Sequence, residues 1–218
     1  GQMTITPATD VTMVIDSYTT KQMQGPISRI NETLATLKYQ SSSLGSINIK
    51  AYLLGEDEYY NSTNGHVYKL AKSNQTFNDS LSLAESSAPI GGANGYLVTI
   101  SSQQENDFIK DIIHPTGWTY WIAASDSANE GDWYWMAGPE TGQQFWQGGP
   151  LAKGGHPVNN AYNFWNGGEP NNTSGIENCS QIFVDGNGLW NDVVCDGTLG
   201  YIIEYGAPNN LPQVSSKT

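Results

Sequence analysis

The 218-residue sequence holds only two cysteines, three histidines and nine basic residues. With no C-x-x-C pair, the two cysteines argue against a thioredoxin-type redox motif; they fit one disulfide in an oxidising compartment. The histidines, His66, His114 and His156, are scattered and form no metal or triad pattern, and without a cysteine cluster zinc is a poor fit. Against nine basic residues stand 21 acidic ones, giving a formal charge of -12. Such a chain repels nucleic acid and anionic membranes. No apolar run is long enough to span a bilayer, and no signal peptide opens the sequence. Its start at Gly1-Gln2 reads as a piece cut from a larger multidomain chain. Charged residues are scarce at 14%, yet 7 Trp and 12 Tyr require burial or a ligand, which excludes a disordered chain.

What is abundant is concentrated between residues 169 and 195: E-P-N-N-T-S-G-I-E-N-C-S-Q-I-F-V-D-G-N-G-L-W-N-D-V-V-C. Glu169, Asn171, Asn172, Glu177, Asn178, Asn191 and Asp192 supply hard oxygen donors, and Cys179 and Cys195 bracket the second half. Ca²⁺ takes about six to eight such oxygens at about 2.3–2.6 Å. The stretch therefore reads as a calcium site tied down by a disulfide.

Along the chain, residues 1–24 alternate loosely and predict one or two strands. Gly25-Pro26 opens a helix with Ile27, Ile30, Leu34 and Leu37 on one face. Ile47, Ile49, Ala51 and Leu53 predict a strand, and residues 55–65 a loop or boundary whose acids Glu56, Asp57 and Glu58 form a solvated face. Further on, Val67–Leu70 predicts a strand, Phe77–Ser87 a helix, and Tyr96–Ile100 another strand. Ser102-Gln103-Gln104-Glu105 is a capping box that starts a helix through Ile113. Trp118–Ala124, Trp133–Trp135 and Tyr201–Tyr205 complete the strands. Residues 138–160, rich in Gly, Pro and Asn, predict a long structureless surface loop.

These landmarks resemble the C-type lectin-like domain. The matching pieces are G-Y-L-V-T-I-S-S-Q-Q-E-N-D-F-I (95–109), Y-W-I-A-A (120–124), W-Y-W (133–135), F-W-N-G-G-E-P-N-N (164–172), E-N-C (177–179), G-L-W-N-D-V-V-C (188–195) and Y-I-I-E-Y (201–205). The resemblance implies an α+β double-loop fold with two helices and small antiparallel sheets over residues 65–206. Residues 1–64 then form an N-terminal extension of strands and one helix, and 207–218 a tail or linker. The Gly-rich insertion and acidic composition look most like such domains in large bacterial surface adhesins, extracellular or on the cell surface.

The resemblance also implies a site. Glu169, Asn171, Glu177, Asn191 and Asp192 would form the principal Ca²⁺ site and contact sugar. Asp126, Glu130, Asn172 and Asn178, with the Glu177 carbonyl, would form an auxiliary one. Pro170 is expected to follow a cis bond, which proline alone makes at low cost and which lets the flanking side chains converge. Amides at 172 and 178, where acids often stand, predict a weaker auxiliary site. The Cys179–Cys195 pair would contribute about 3 kcal/mol by loop entropy. The family's other common disulfide is missing, with Ala84 and Ile203 in its place. The E-P-N order goes with mannose-, glucose- or fucose-type ligands on cell-surface glycans. A protein- or ice-binding module with only structural calcium is the alternative, and a glycosidase using Glu169 and Glu177 is disfavoured because calcium would hold both ionised. Trp121, Trp133, Trp135 and Trp190 read as core, and Trp146 and Trp165 as candidates for stacking on a ligand. Sequons at Asn171 and Asn178 would, if glycosylated, block the metal loop, so a non-glycosylating source fits better.

Overall fold

The computed structural model describes residues 2–4, 12–16, 21–24, 38–40, 54–183 and 187–207. The helix expected after Pro26, the strand at 47–53 and, beyond Ala207, the tail expected at 207–218 lie outside the described residues. The chain divides into two compact units, Gly1–Glu56 with Pro212–Thr218, and Asp57–Leu211. In the first, β1 (Gln2–Thr4) pairs antiparallel with β4 (Lys38–Gln40), and β2 (Thr12–Asp16) pairs antiparallel with β3 (Lys21–Gln24).

The second unit is built on β6 (Val67–Gln75) and β14 (Leu199–Tyr205), paired antiparallel from Leu199↔Gln75 to Tyr205↔Val67. One edge is β5 (Glu58–Tyr60), inside the stretch expected to be a loop. Its acids do not stand free: Glu58 pairs with Lys69 at 3.1 Å and Asp57 with Lys72 at 2.7 Å. The periodicity was too short to read there, and pairing with β6 decides the conformation. On the other side β14 runs parallel to β8 (Tyr120–Ser125), while β7 (Gly95–Leu97) pairs with its far end. From β8 the sheet branches to β9 (Asp132–Trp135) and to β12 (Cys179–Ile182), which pairs with β13 (Trp190–Val193). Every residue of β8 is buried, as expected of a strand covered on both faces.

Two helices pack on this frame. In α1 (Phe77–Glu85), Thr76 is the N-cap, its Oγ1 accepting from the Asp79 amide at 3.2 Å. In α2 (Gln103–Ile113), Ser102 caps as expected, accepting from the Glu105 amide at 3.3 Å. The Glu105 carboxylate reaches back one residue further than a capping box requires, to the Ser101 amide at 2.9 Å. Glu105, Asn106, Ile109, Ile112 and Ile113 form the buried face of α2. Ala84 and Ile203 are both buried and both border Gly95, where a Cβ would meet Ile203 at 2.7 Å. Both residues thus belong to the apolar core.

Residues 138–160 are not structureless. They contain β10 (Gln144–Gln147), paired with β9 and with the short β11 (His156–Pro157). Turns 151–153 and 158–160 complete the segment. The hidden signal is Phe145-Trp146, which buries both rings. Trp146, expected as a ligand platform, is only 2% exposed; its indole donates to the Gly148 and Gly149 carbonyls at 3.1 and 3.2 Å. Among the described residues no helix is long and apolar enough to cross a membrane.

Candidate functional site

The site begins with an aromatic core. Trp190, fully buried, donates through its indole to Asn106 Oδ1 at 2.8 Å and meets Trp135, Phe145, Tyr162 and Trp165 edge to face. Trp165 is half-buried in this cluster, 4.8 Å from the Trp133 ring, so it too packs rather than standing open to a ligand. The Trp190 amide bonds to the Phe164 carbonyl, and the Asn166 amide to the Trp190 carbonyl. The loop that follows, carrying Glu169, is thereby pinned to β13.

Strand alternation turns Trp190 and Asp192 inward on β13, and Asp192 is completely buried. Its Oδ1 accepts from the Asn171 amide at 3.1 Å and its Oδ2 from the Asn172 amide at 2.7 Å. The Glu169–Pro170 bond is cis, as expected. Asn172 takes a left-handed backbone, tolerated by Asn, and its Oδ1 accepts from the Glu177 amide at 3.0 Å. Glu177 Oε2 in turn accepts from the Thr173 amide at 2.8 Å, and the Thr173 hydroxyl meets Asn171 Oδ1. Glu169, Asn171, Glu177 and Asp192 are therefore one contiguous group. Asn191, between Trp190 and Asp192 on β13 and opposite Gln181, alternates to the other side of the strand and is not drawn into this group by any of these contacts. The Cys179–Cys195 disulfide is formed, joining the start of β12 to the segment just past β13.

Electrostatics sharpen the picture. Burial, then the Asp192 charge, then that of Glu177 push the Glu169 carboxyl above the usual carboxylate range. Burial, with Glu130 and Asp192 adding to it, pushes Asp126 up to about 7, against a bond to its Oδ2 from the Gly131 amide at 2.8 Å. Among the described residues of this site, three buried oxygens have no partner: Glu169 Oε2, Asp126 Oδ1 and Asn178 Oδ1. A buried polar atom left so costs about 1–3 kcal/mol and calls for a water or an ion. All three are hard oxygen donors among crowded carboxylates, so the residues present fit Ca²⁺. Asp126 and Asn178 are neighbours, since the Asn178 carbonyl accepts from Ser125 Oγ at 2.6 Å and from the Asp126 amide at 3.3 Å. A cavity of about 240 Å³ joins the two groups, lined by Asp126, Glu130, Asn171, Asn172, Asp192 and Lys153 among others.

Sequence reasoning missed a second buried cluster. His66 Nδ1 lies 2.5 Å from Glu204 Oε1, and Tyr68 donates to Glu105 Oε1 at 2.6 Å. One ligand-type atom from each of His66, Glu105 and Glu204 lies within 4.8 Å of the others. Burial drives Glu204 up to about 7, opposed by His66, whose own pKa is raised by that contact.

The sequence matches the family described as the lectin C-type domain over residues 79–204. The chain belongs to this family, whose members are binding proteins rather than enzymes. It is 31% identical over 206 residues to halomucin of Haloquadratum walsbyi, covering 94% of this chain and 2% of halomucin. A perlucin-like protein of Mytilus galloprovincialis is 32% identical over 114 residues, covering 50% of this chain and 60% of that one. The chain thus spans less than two thirds of either relative. Among solved structures, the C-type lectin CEL-I from Cucumaria echinata superposes with a TM-score of 0.53 at 21% identity, over 70% of this chain and 96% of its own. That likeness shows the C-type lectin fold, an α+β architecture.

Proposed function

We propose that this domain binds carbohydrate through calcium, taking mannose-, glucose- or fucose-type vicinal diols, within a larger extracellular or surface chain that serves adhesion. The observation that carries the reading is Glu169 Oε2, a buried carboxylate oxygen without a partner beside Asp192 and Glu177. Glu169, Asn171, Glu177, Asn191 and Asp192 would hold the principal ion, and Asp126, Glu130, Asn172 and Asn178 an auxiliary one. Bound calcium supplies coordination positions that two adjacent sugar hydroxyls can complete. The Asn171 and Asn191 amides would donate to those hydroxyls, and the Glu169 and Glu177 carboxylates would accept hydrogen bonds from them. Asp192, tied to two backbone amides, keeps the loop in register. One monosaccharide at an open site binds weakly, so attachment to a surface needs several copies or further contacts.

A second reading keeps the scaffold and makes its target protein or ice, with calcium only structural. The observation favouring it is apolar exposure at the site's own loops: Leu151 is 72% exposed and Ile176 57%. A glycan array read with calcium and with EDTA separates the two. Capture of mannose- or fucose-type glycans in calcium alone is expected. Capture that survives EDTA, or no capture in either, would overturn the proposal.

A further inference from the structure

The cavity between the two proposed ion sites has a wall that those sites do not use. Gly148, Gly149, Pro150 and Lys153 form it and share the cavity with Asn171 and Asp192. This wall is a built strap. Trp146 holds the Gly148 and Gly149 carbonyls, while the Lys153 and Gly155 amides bond to the Pro150 carbonyl at 2.8 and 3.1 Å. A Cβ on Gly155 would fall 1.8 Å from the Gly149 carbonyl oxygen, so the two arms of the strap touch through backbone. At its tip Lys153 is exposed and joins no ion pair among the described residues. By contrast Lys69, Lys72 and Lys110 each meet a carboxylate.

Charge counting gives that position meaning, and this step rests on the calcium reading above. Asp126 and Glu130 together balance one divalent ion, because residues 172 and 178 are amides rather than acids. The Lys153 ammonium is then left uncompensated on that side. The principal group, with three carboxylates around its ion, stays net negative. A ligand lying across the cavity would meet opposite fields at its two ends.

We infer that Lys153 is a specificity-determining residue that selects sugars carrying an anionic substituent, a carboxylate or a sulfate ester, beside the diol. The cavity of about 240 Å³ has room for such a substituent. The ammonium, an exposed point charge on a flexible stem, suits either anion.

The test is calorimetry in saturating calcium and low salt with methyl mannoside, mannuronic acid and mannose 6-sulfate, on the wild type, K153Q and K153E. The wild type should bind at least one acidic sugar about two- to fivefold more tightly than methyl mannoside, as an exposed ion pair allows. Which of the two is preferred identifies the anion. The preference should vanish in K153Q, invert in K153E and shrink in high salt. In protein carrying reductively methylated lysines, the Lys153 NMR signal should move with the acidic sugar and not with the neutral one. An equal acidic-to-neutral ratio in wild type and K153Q overturns the inference while leaving the calcium reading intact. Failure of methyl mannoside to bind at all overturns both. A calcium titration in which K153Q takes up one more ion than the wild type also overturns it, because the lysine would then be standing in for the auxiliary ion.

Discussion

Asp192 spends both carboxylate oxygens on the Asn171 and Asn172 backbone amides, at 3.1 and 2.7 Å, across a separation of about twenty residues. That contact ties the loop after the cis Glu169–Pro170 bond to β13, and leaves Glu169 Oε2 buried and unmatched next to it. The carboxylate is thus an unfavourable element of the ion-free fold and a favourable one once a cation is bound.

The substitution Glu169→Gln separates those roles. It should lower calcium affinity tenfold or more and abolish sugar binding. In EDTA its melting temperature should equal or exceed that of the wild type, because a crowded carboxylate is gone. Loss of stability in EDTA would show that the side chain holds the fold rather than an ion.

Protons should compete with calcium at the auxiliary group. With Asp126 raised to about 7 in the ion-free protein, calcium affinity there should fall roughly tenfold per pH unit below 7. Calcium titrations between pH 8 and 5 check this; a flat profile would contradict it.

The same shifts make an inverted stability profile in EDTA. A carboxylate raised on folding contributes stability that is present below its unfolded value and lost as pH rises through the folded one. Asp126 and Glu204, both raised to about 7, act this way, and so does His66 with its raised pKa. The melting temperature in EDTA should therefore be higher at pH 6 than at pH 8. Calcium should flatten or reverse the difference, and Glu204→Gln should reduce it. Greater stability at pH 8 in EDTA would contradict this.

Opening the disulfide should loosen the site more than the core. Cys179 starts β12 and Cys195 follows β13, so the double substitution to Ala should cost about 3 kcal/mol by loop entropy. Denaturant unfolding measures this loss. An unchanged midpoint would mean that β12–β13 pairing alone holds the loop.

Much of this was legible in the sequence because the family's landmarks are local. Glu169-Pro170-Asn171 and Trp190-Asn191-Asp192 each lie within three consecutive residues, and Ser102 announces α2 by its spacing to Glu105. What stayed hidden depends on pairing at a distance. His66 and Glu204 are 138 residues apart and meet only because β6 pairs with β14. Phe145-Trp146 is too short a pattern to outweigh the glycines around it, so β10 and the burial of Trp146 emerge only from its pairing with β9. Lys153 has no motif; its place on the cavity follows from the strap that Trp146 holds.

The most direct test is a crystal structure of the domain grown with calcium chloride and methyl mannoside. The account predicts an ion within about 2.3–2.6 Å of Glu169 Oε2, its remaining positions filled by two adjacent mannose hydroxyls. Glu169 Oε2 bonded instead to water or protein, with no ion beside it at saturating calcium, would contradict the account.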